Sequence, residues 1–189
     1  MVRELPTTIT DVAVMRALAH PARISLLEHL SSSGPATATE SAEVIGLTPS
    51  ATSYHLRALA RTGLVEEAPG RGDGRERFWR TAVAGGYRLA GGPDADPEVR
   101  EAKRELLSTF VAWEEAQVRQ FMARMTDEPK EWQDATFFGT STLLLTADEL
   151  TELKDAVIEL LARYSKRTRE NPPAGARTVA TLFRAFPVS

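Results

Sequence analysis

Between Thr37 and Thr81 the chain carries two helix starts separated by a glycine, then two β-prone runs around a glycine-rich loop. This order limits the fold more than any other feature. In TATESAEVIGLTPSATSYHLRALARTGLVEEAPGRGDGRERFWRT, Thr37 and Glu40 form a T-x-x-E capping box. Such a box satisfies two free amides and predicts a short helix from Ala38 to Ile45. Gly46 ends it, because the chain must turn through a left-handed conformation that glycine adopts without a Cβ clash. Thr48 caps a second helix, and Pro49 takes its first position, where a missing N–H costs nothing. Small Ala42, turning Gly46 and compact Thr52 fall where two helices crossing over a short turn have least room.

On the second helix, Thr52, Leu56 and Leu59 recur at helical spacing and are expected in the core. That leaves Ser50, Ala51, Ser53, Tyr54, His55 and Arg57 toward solvent or at the edge, with Thr48 at the cap. The exposed set is short, polar and lightly basic. Arg57 suits a guanine edge or a phosphate, and Ser50 and Ser53 suit phosphates near the helix start. After Gly63, Leu64 to Ala68 and Glu76 to Thr81 read as strands around PGRGDGR, a loop that continues neither strand nor helix. Arg71, Arg75, Arg77 and Arg80 cluster on this hairpin, where flexible arginines reach a minor groove or a phosphate backbone. Phe78 and Trp79 are read as packing residues. The parts together are those of a helix-turn-helix followed by a wing, whose second helix lies in the DNA major groove. A solvated helix face and a solvated hairpin would explain each part separately, but not their succession.

The segments ALAHPARISLLEHL, LTPSATSYHLRALARTGLVEE and RERFWR resemble the ArsR-like winged-helix regulators over residues 10 to 88. His55-Leu56-Arg57, Gly63-Leu64-Val65 and Arg77-Phe78-Trp79 carry most of that likeness. The resemblance implies a homodimer reading a palindromic double-stranded operator, usually a repressor released by an effector. It also implies that the long helix after the wing and the first helix build the dimer interface. Many such sensors bind metal through cysteines or through histidine and carboxylate pairs. This chain departs from both patterns, with no cysteine and with His20, His29 and His55 scattered without ligand spacing. No metal and no cofactor is expected.

Upstream, Thr10 to Ala19 and Pro21 to Ser32 read as helices, the second with Ile24, Leu27 and Leu30 on one face. Downstream, the loop AGGPDADP leads to a long helix from Pro97 to Met125, with an apolar stripe that includes Leu106, Phe110, Trp113, Phe121 and Met122. A helix about 40 Å long, at 1.5 Å per residue, exceeds what a small domain covers, so part of the stripe is expected against a partner subunit. The remainder reads as strand, helix, strand: ATFFGTSTLLLT, then a helix from Ala147 to Lys166 capped by Thr146 and Glu149, then ARTVATLFRAF. The fold class expected is therefore α+β, mainly helical. A winged helix-turn-helix occupies residues 1–90, and the long helix with a small α+β dimerisation and effector region occupies 91–189. Trp113, Phe121, Trp132, Phe137 and Phe138 are candidates to line a site for a small organic effector, and core packing explains the same residues.

Composition narrows the function classes. No run of eighteen apolar residues and no apolar signal core occurs, so a cytoplasmic chain without a membrane partner is expected. Net charge is −3, yet residues 50–88 carry seven arginines against four carboxylates, which concentrates positive charge on the proposed reading surface. An enzyme is not expected: no nucleophile sits with a base, no glycine motif cradles phosphate between strand and helix, and no metal triad is present. A winged helix that binds protein alone and a metal-responsive repressor are the alternatives, and the arginine-rich wing weighs against the first.

Overall fold

A computed structural model describes residues 7–70, 76–82, 87–89, 92, 94–164, 169 and 171–188. It divides into two compact units, residues 1–113 and 114–189. The division falls inside the long helix, not at the 90/91 boundary expected from the preceding loop.

In the first unit, strand β1 (Thr7–Ile9) precedes helices α1 (Val12–Leu18) and α2 (Pro21–Ser33). Asp11 caps α1 by accepting from the Ala13 N–H at 2.6 Å, and His20 caps α2 by accepting from Ala22 at Nδ1. Strand β2 (Ala36–Thr37) then runs straight into α3 (Ala38–Ile45). Thr37 serves as the last residue of one and the cap of the other. Its extended backbone suits both roles, and the capping box with Glu40 is closed in both directions, at 2.7 and 3.1 Å. Gly46 takes the left-handed conformation at φ 71°, and α4 (Pro49–Arg61) starts with the Thr48 hydroxyl accepting from Ala51 N–H.

Strands β3 (Val65–Ala68) and β4 (Phe78–Thr81) form the hairpin, with Val65 opposite Thr81 and Ala68 opposite Phe78. β2 adds to its other edge, antiparallel, with Ala36 opposite Trp79. The wing sheet therefore has three strands in the order β2-β4-β3. A separate parallel pair joins β1 to β5 (Tyr87–Leu89). Neither β1 nor β2 is signalled by the sequence pattern, because three and two residues are too few to show alternation.

The core of this unit gathers Met15, Leu18, Leu26, Leu30, Leu56, Leu59, Val65 and Trp79, all buried. Each such large side chain removed from water contributes roughly 1.5–3 kcal/mol. Ala102 and Leu106, on the first part of α5 (Pro97–Met122), belong to the same cluster. Trp113 Nε1 donates to Ser25 Oγ at 2.8 Å, which ties α5 to α2. Phe78 is half-buried and Trp79 buried, as expected of packing residues.

The second unit holds the end of α5, a 3-10 turn at Met125–Asp127, α6 (Lys130–Ala135) and α7 (Ala147–Ala162). The α7 capping box forms as expected, with Thr146 N–H donating to Glu149 at 2.7 Å. The two strands expected on either side of α7 do not form. Residues 136–146 and 171–188 carry no ladder, because a β-prone run becomes a strand only when another strand takes its backbone groups, and among the described residues no strand pairs with either run. The mainly helical fold with a winged helix-turn-helix stands, and the C-terminal strand-helix-strand is corrected to a helix between two unpaired segments.

Thr52 lies fully buried in α4, and its hydroxyl has no partner among the described residues. Thr52→Val should raise the unfolding free energy by about 1 kcal/mol, since it removes an unsatisfied buried hydroxyl and keeps the shape. Leu56→Ala at the adjacent core position should lower it by about 3 kcal/mol. Urea denaturation followed by circular dichroism reads both, and a destabilising Thr52→Val would mean that the hydroxyl is bonded after all.

Candidate nucleic-acid interface

The buried positions of α4 fix which side of it faces out. With Thr52, Leu56 and Leu59 turned into the core, Ser50, Tyr54, Arg57 and Arg61 form an exposed stripe at spacings of four, three and four residues. Thr48 is exposed at its start, and Ala51, Ser53 and His55 are half-buried at its edges. Arg61 is absent from the residues picked out of the sequence, although its spacing from Arg57 places it on the same side one turn further on.

Beside this stripe an open cleft of about 180 Å³ lies between α3, α4 and the wing, lined by Thr37, Ala38, Thr39, Ser53, Arg57, Glu76, Arg77 and Trp79. Thr39 is exposed in the first turn of α3, where helix amides point outward and the dipole favours an anion. Arg57 and Arg77 face the same opening from two elements. Glu76 is the opposing charge.

The wing's charge is less free than its composition implies. Arg80 pairs with Glu66, its cross-strand partner, at 2.6 Å, and Arg77 pairs with Glu67 at 3.0 Å. All four side chains are half or more exposed, so each pair contributes at most about 1 kcal/mol and its arginine is held near the surface at little cost to exchange. Arg71 and Arg75, at the wing tip, lie outside the described residues.

His55 does not stand out toward solvent. Its ring packs on His20, with centroids 4.6 Å apart, and meets the edge of Tyr54 at 5.3 Å. Its Nδ1 is buried without a partner among the described residues. Loss of hydration lowers its pKa first, and the nearby His20 and Arg23 charges lower it further. His20 is lowered by desolvation and then by Arg23. The pair thus joins α4 to the start of α2 through a ring contact in which each imidazole binds a proton less readily than a free one.

Four of the five aromatic residues considered for an effector lie in the second unit. Trp113 belongs to the first unit through its bond to Ser25. In the second unit, Phe121 stacks on Phe138 at 6.2 Å, and Trp132 lies under the Arg177 guanidinium at 4.6 Å. Phe137 is 87% exposed and touches neither pair in a ring contact. Among the described residues no cluster of three or more metal-ligating side chains occurs.

The family profile described as "Helix-turn-helix domain" matches residues 18–68, the span from the end of α1 to the end of β3. A solved protein described as a possible transcriptional regulator for arsenical resistance shares 31% identity, over 52% of this chain and 83% of its own, with a TM-score of 0.33. The chain belongs to the winged helix-turn-helix transcriptional regulators. This winged-helix regulator is also similar to the YusO protein of Bacillus subtilis, at 15% identity over 79% of each chain and a TM-score of 0.35. The PcaV transcriptional regulator of Streptomyces coelicolor, solved with its natural ligand, gives 15% identity over 75% of this chain and 74% of its own, with a TM-score of 0.33. These superpositions are poor, so the assignment rests on the profile match, the 31% identity and the three-stranded wing. No curated protein sequence matches significantly. No helix among the described residues is long and apolar enough to cross a membrane.

The histidine pair makes the regulator's stability depend on pH in a defined direction. Both imidazoles sit below their ordinary value of 6.5 in the folded state, so the unfolded chain takes up the proton first as pH falls. Their contribution is full above pH 6.5 and is lost below it, down through the lowered folded values. The melting temperature should fall between pH 7.5 and 5.5, and the fall should be smaller in His55→Gln. An equal fall in both proteins would remove the pair from the account.

Proposed function

We propose that this DNA-binding transcription regulator is an ArsR-like homodimeric repressor, in which each subunit lays α4 in a major groove. The observation that carries the proposal is the exposed stripe of Ser50, Tyr54, Arg57 and Arg61 beside a cleft flanked by Arg57 and Arg77. A DNA phosphate fits the cleft, where the first turn of α3 supplies amides and Arg77 exchanges Glu67 for the phosphate. Arg57 then extends along the groove to a base edge, with Ser50 and Tyr54 on either side. The wing tip, with Arg71 and Arg75, supplies further backbone contacts. The ArsR-like assignment is supported by His55-Leu56-Arg57, Gly63-Leu64-Val65 and Arg77-Phe78-Trp79 and by the 31% identity already described. A thiolate arsenical or metal site does not transfer, because the chain has no cysteine. Residues 1–90 act as the DNA-binding half, and regulation enters through the remainder, where Phe121, Phe138 and Trp132 offer ring faces to an organic effector.

The test is fluorescence anisotropy on fragments of the protein's own promoter, with a salt series. Affinity should fall steeply with salt, and a flat profile would defeat a phosphate-anchored complex. Arg57→Ala should cost about 1–3 kcal/mol on the operator and little on unrelated DNA. Arg77→Ala should weaken both equally and reduce the salt slope by about one. The reverse pattern would exchange the roles given to these two arginines.

A further inference from the structure

We infer that His20 and His55 are positioning residues for the reading surface: they carry Tyr54 on a stack of rings that starts at the cap of α2, and a proton taken up by His20 releases it. This deepens the DNA reading proposed above and rests on it.

The stack runs outward from the α2 cap. The Ala22 N–H donates to His20 Nδ1 at 3.2 Å, which fixes the His20 ring at the start of α2. The His55 ring packs on His20 with centroids 4.6 Å apart and a tilt of 46°. Tyr54 then meets His55 edge to face, at 5.3 Å and 72°. Tyr54 itself is 58% exposed, on the same stripe of α4 as Arg57. A tyrosine that far out of the core takes its direction from the ring beside it. Leu56 and Leu59 seat the helix separately in the core, so the stack acts on this reading side chain and not on the fold.

The chemistry of the cap makes the stack sensitive to protons. A ring nitrogen that accepts carries no proton, so in this geometry the His20 proton sits on Nε2. A second proton has only Nδ1 to go to, where it turns the acceptor into a donor facing the Ala22 N–H. The cap is then lost, and a positive charge is left at a helix N-terminus, where the dipole opposes it. The titratable and charged groups facing the two rings are each other, Arg23 of α2 and Tyr54 of α4, and among the described residues no carboxylate offsets them. Arg23 is held in place by donating Nη1 to the Ala17 carbonyl at 2.7 Å. His55 Nδ1 is buried with no partner among the described residues, so a proton there adds a charge without solvation. Desolvation first, and then these neighbouring charges, lower both rings from 6.5. The stacked form therefore binds protons less readily than the separated form, and acidification shifts the population toward separated rings.

Fluorescence anisotropy at fixed ionic strength, on a fragment of the protein's own promoter and on an unrelated duplex, tests this between about pH 7.5 and 5.5. The ratio of the two affinities should fall about fivefold across that range, while binding to the unrelated duplex holds or tightens, because added positive charge favours phosphate. His20→Asn keeps a cap acceptor that does not titrate and should hold the ratio nearly constant. Tyr54→Ala should start from a lowered ratio and show no further fall. Nuclear magnetic resonance follows the same event without DNA: the Ala22 amide should shift with the His20 titration, and His55 should take up its proton at a higher pH in His20→Asn than in the wild type. A wild-type ratio that is constant, that falls equally in His20→Asn or Tyr54→Ala, or that falls only as circular dichroism shows helix being lost, overturns the inference and leaves the DNA reader standing. Failure to prefer the promoter fragment at any pH overturns both.

Discussion

The close approach of α3 and α4 governs the rest of the DNA-reading unit, because it sets which residues of α4 face outward. Ser41, Ala42 and Thr52 are all small and buried, and Gly46 turns the chain between the two helices in a conformation that side chains resist. Leu56 and Leu59 then anchor α4 in the same core as Met15, Leu18 and Trp79. Rotating α4 by one residue would turn an arginine into that core and a leucine out of it. The energetic gap between those arrangements is several kcal/mol, which is why the helix holds one orientation.

Thr37 extends this constraint to the wing. As a strand residue it lies against Phe78, and as a helix cap it satisfies the Glu40 amide, so one residue sets the wing sheet relative to the start of α3. The cleft between them follows from that linkage. Of its two arginines, Arg77 is presented through an ion pair with Glu67, an arrangement that positions the guanidinium without neutralising it deeply, since both partners stay in water.

The second unit follows a different logic. Its helices form from local signals, a capping box and an amphipathic pattern, and its tertiary contacts within one chain are mostly polar and exposed. Local structure there is complete while the core is not.

The helix-turn-helix was legible because its determinants are local: T-x-x-E, a turning glycine, Thr-Pro and a 52-56-59 apolar spacing each act within one or two turns. The same holds for the α7 start at Thr146 and for Trp79 as a packing residue. Strands β1 and β2 were not legible, since a ladder two or three residues long is decided by what lies beside it. The reverse holds at 136–146 and 176–186, where strong β-propensity meets no pairing strand among the described residues. Among the site residues, charge type and spacing identified Arg57 and the wing arginines. The withdrawal of His55 against His20 and the pairing of Arg77 and Arg80 with glutamates depend on distances between distant parts of the chain. Sequence alone determined the helices of the helix-turn-helix and α7, their caps and the outward face of α4, because those depend on neighbours along the chain, whereas the short α6 (Lys130–Ala135) was not expected. Only the tertiary structure decided the strand pairing, the cleft and the uncovered C-terminal surface, because these depend on which segments meet in space.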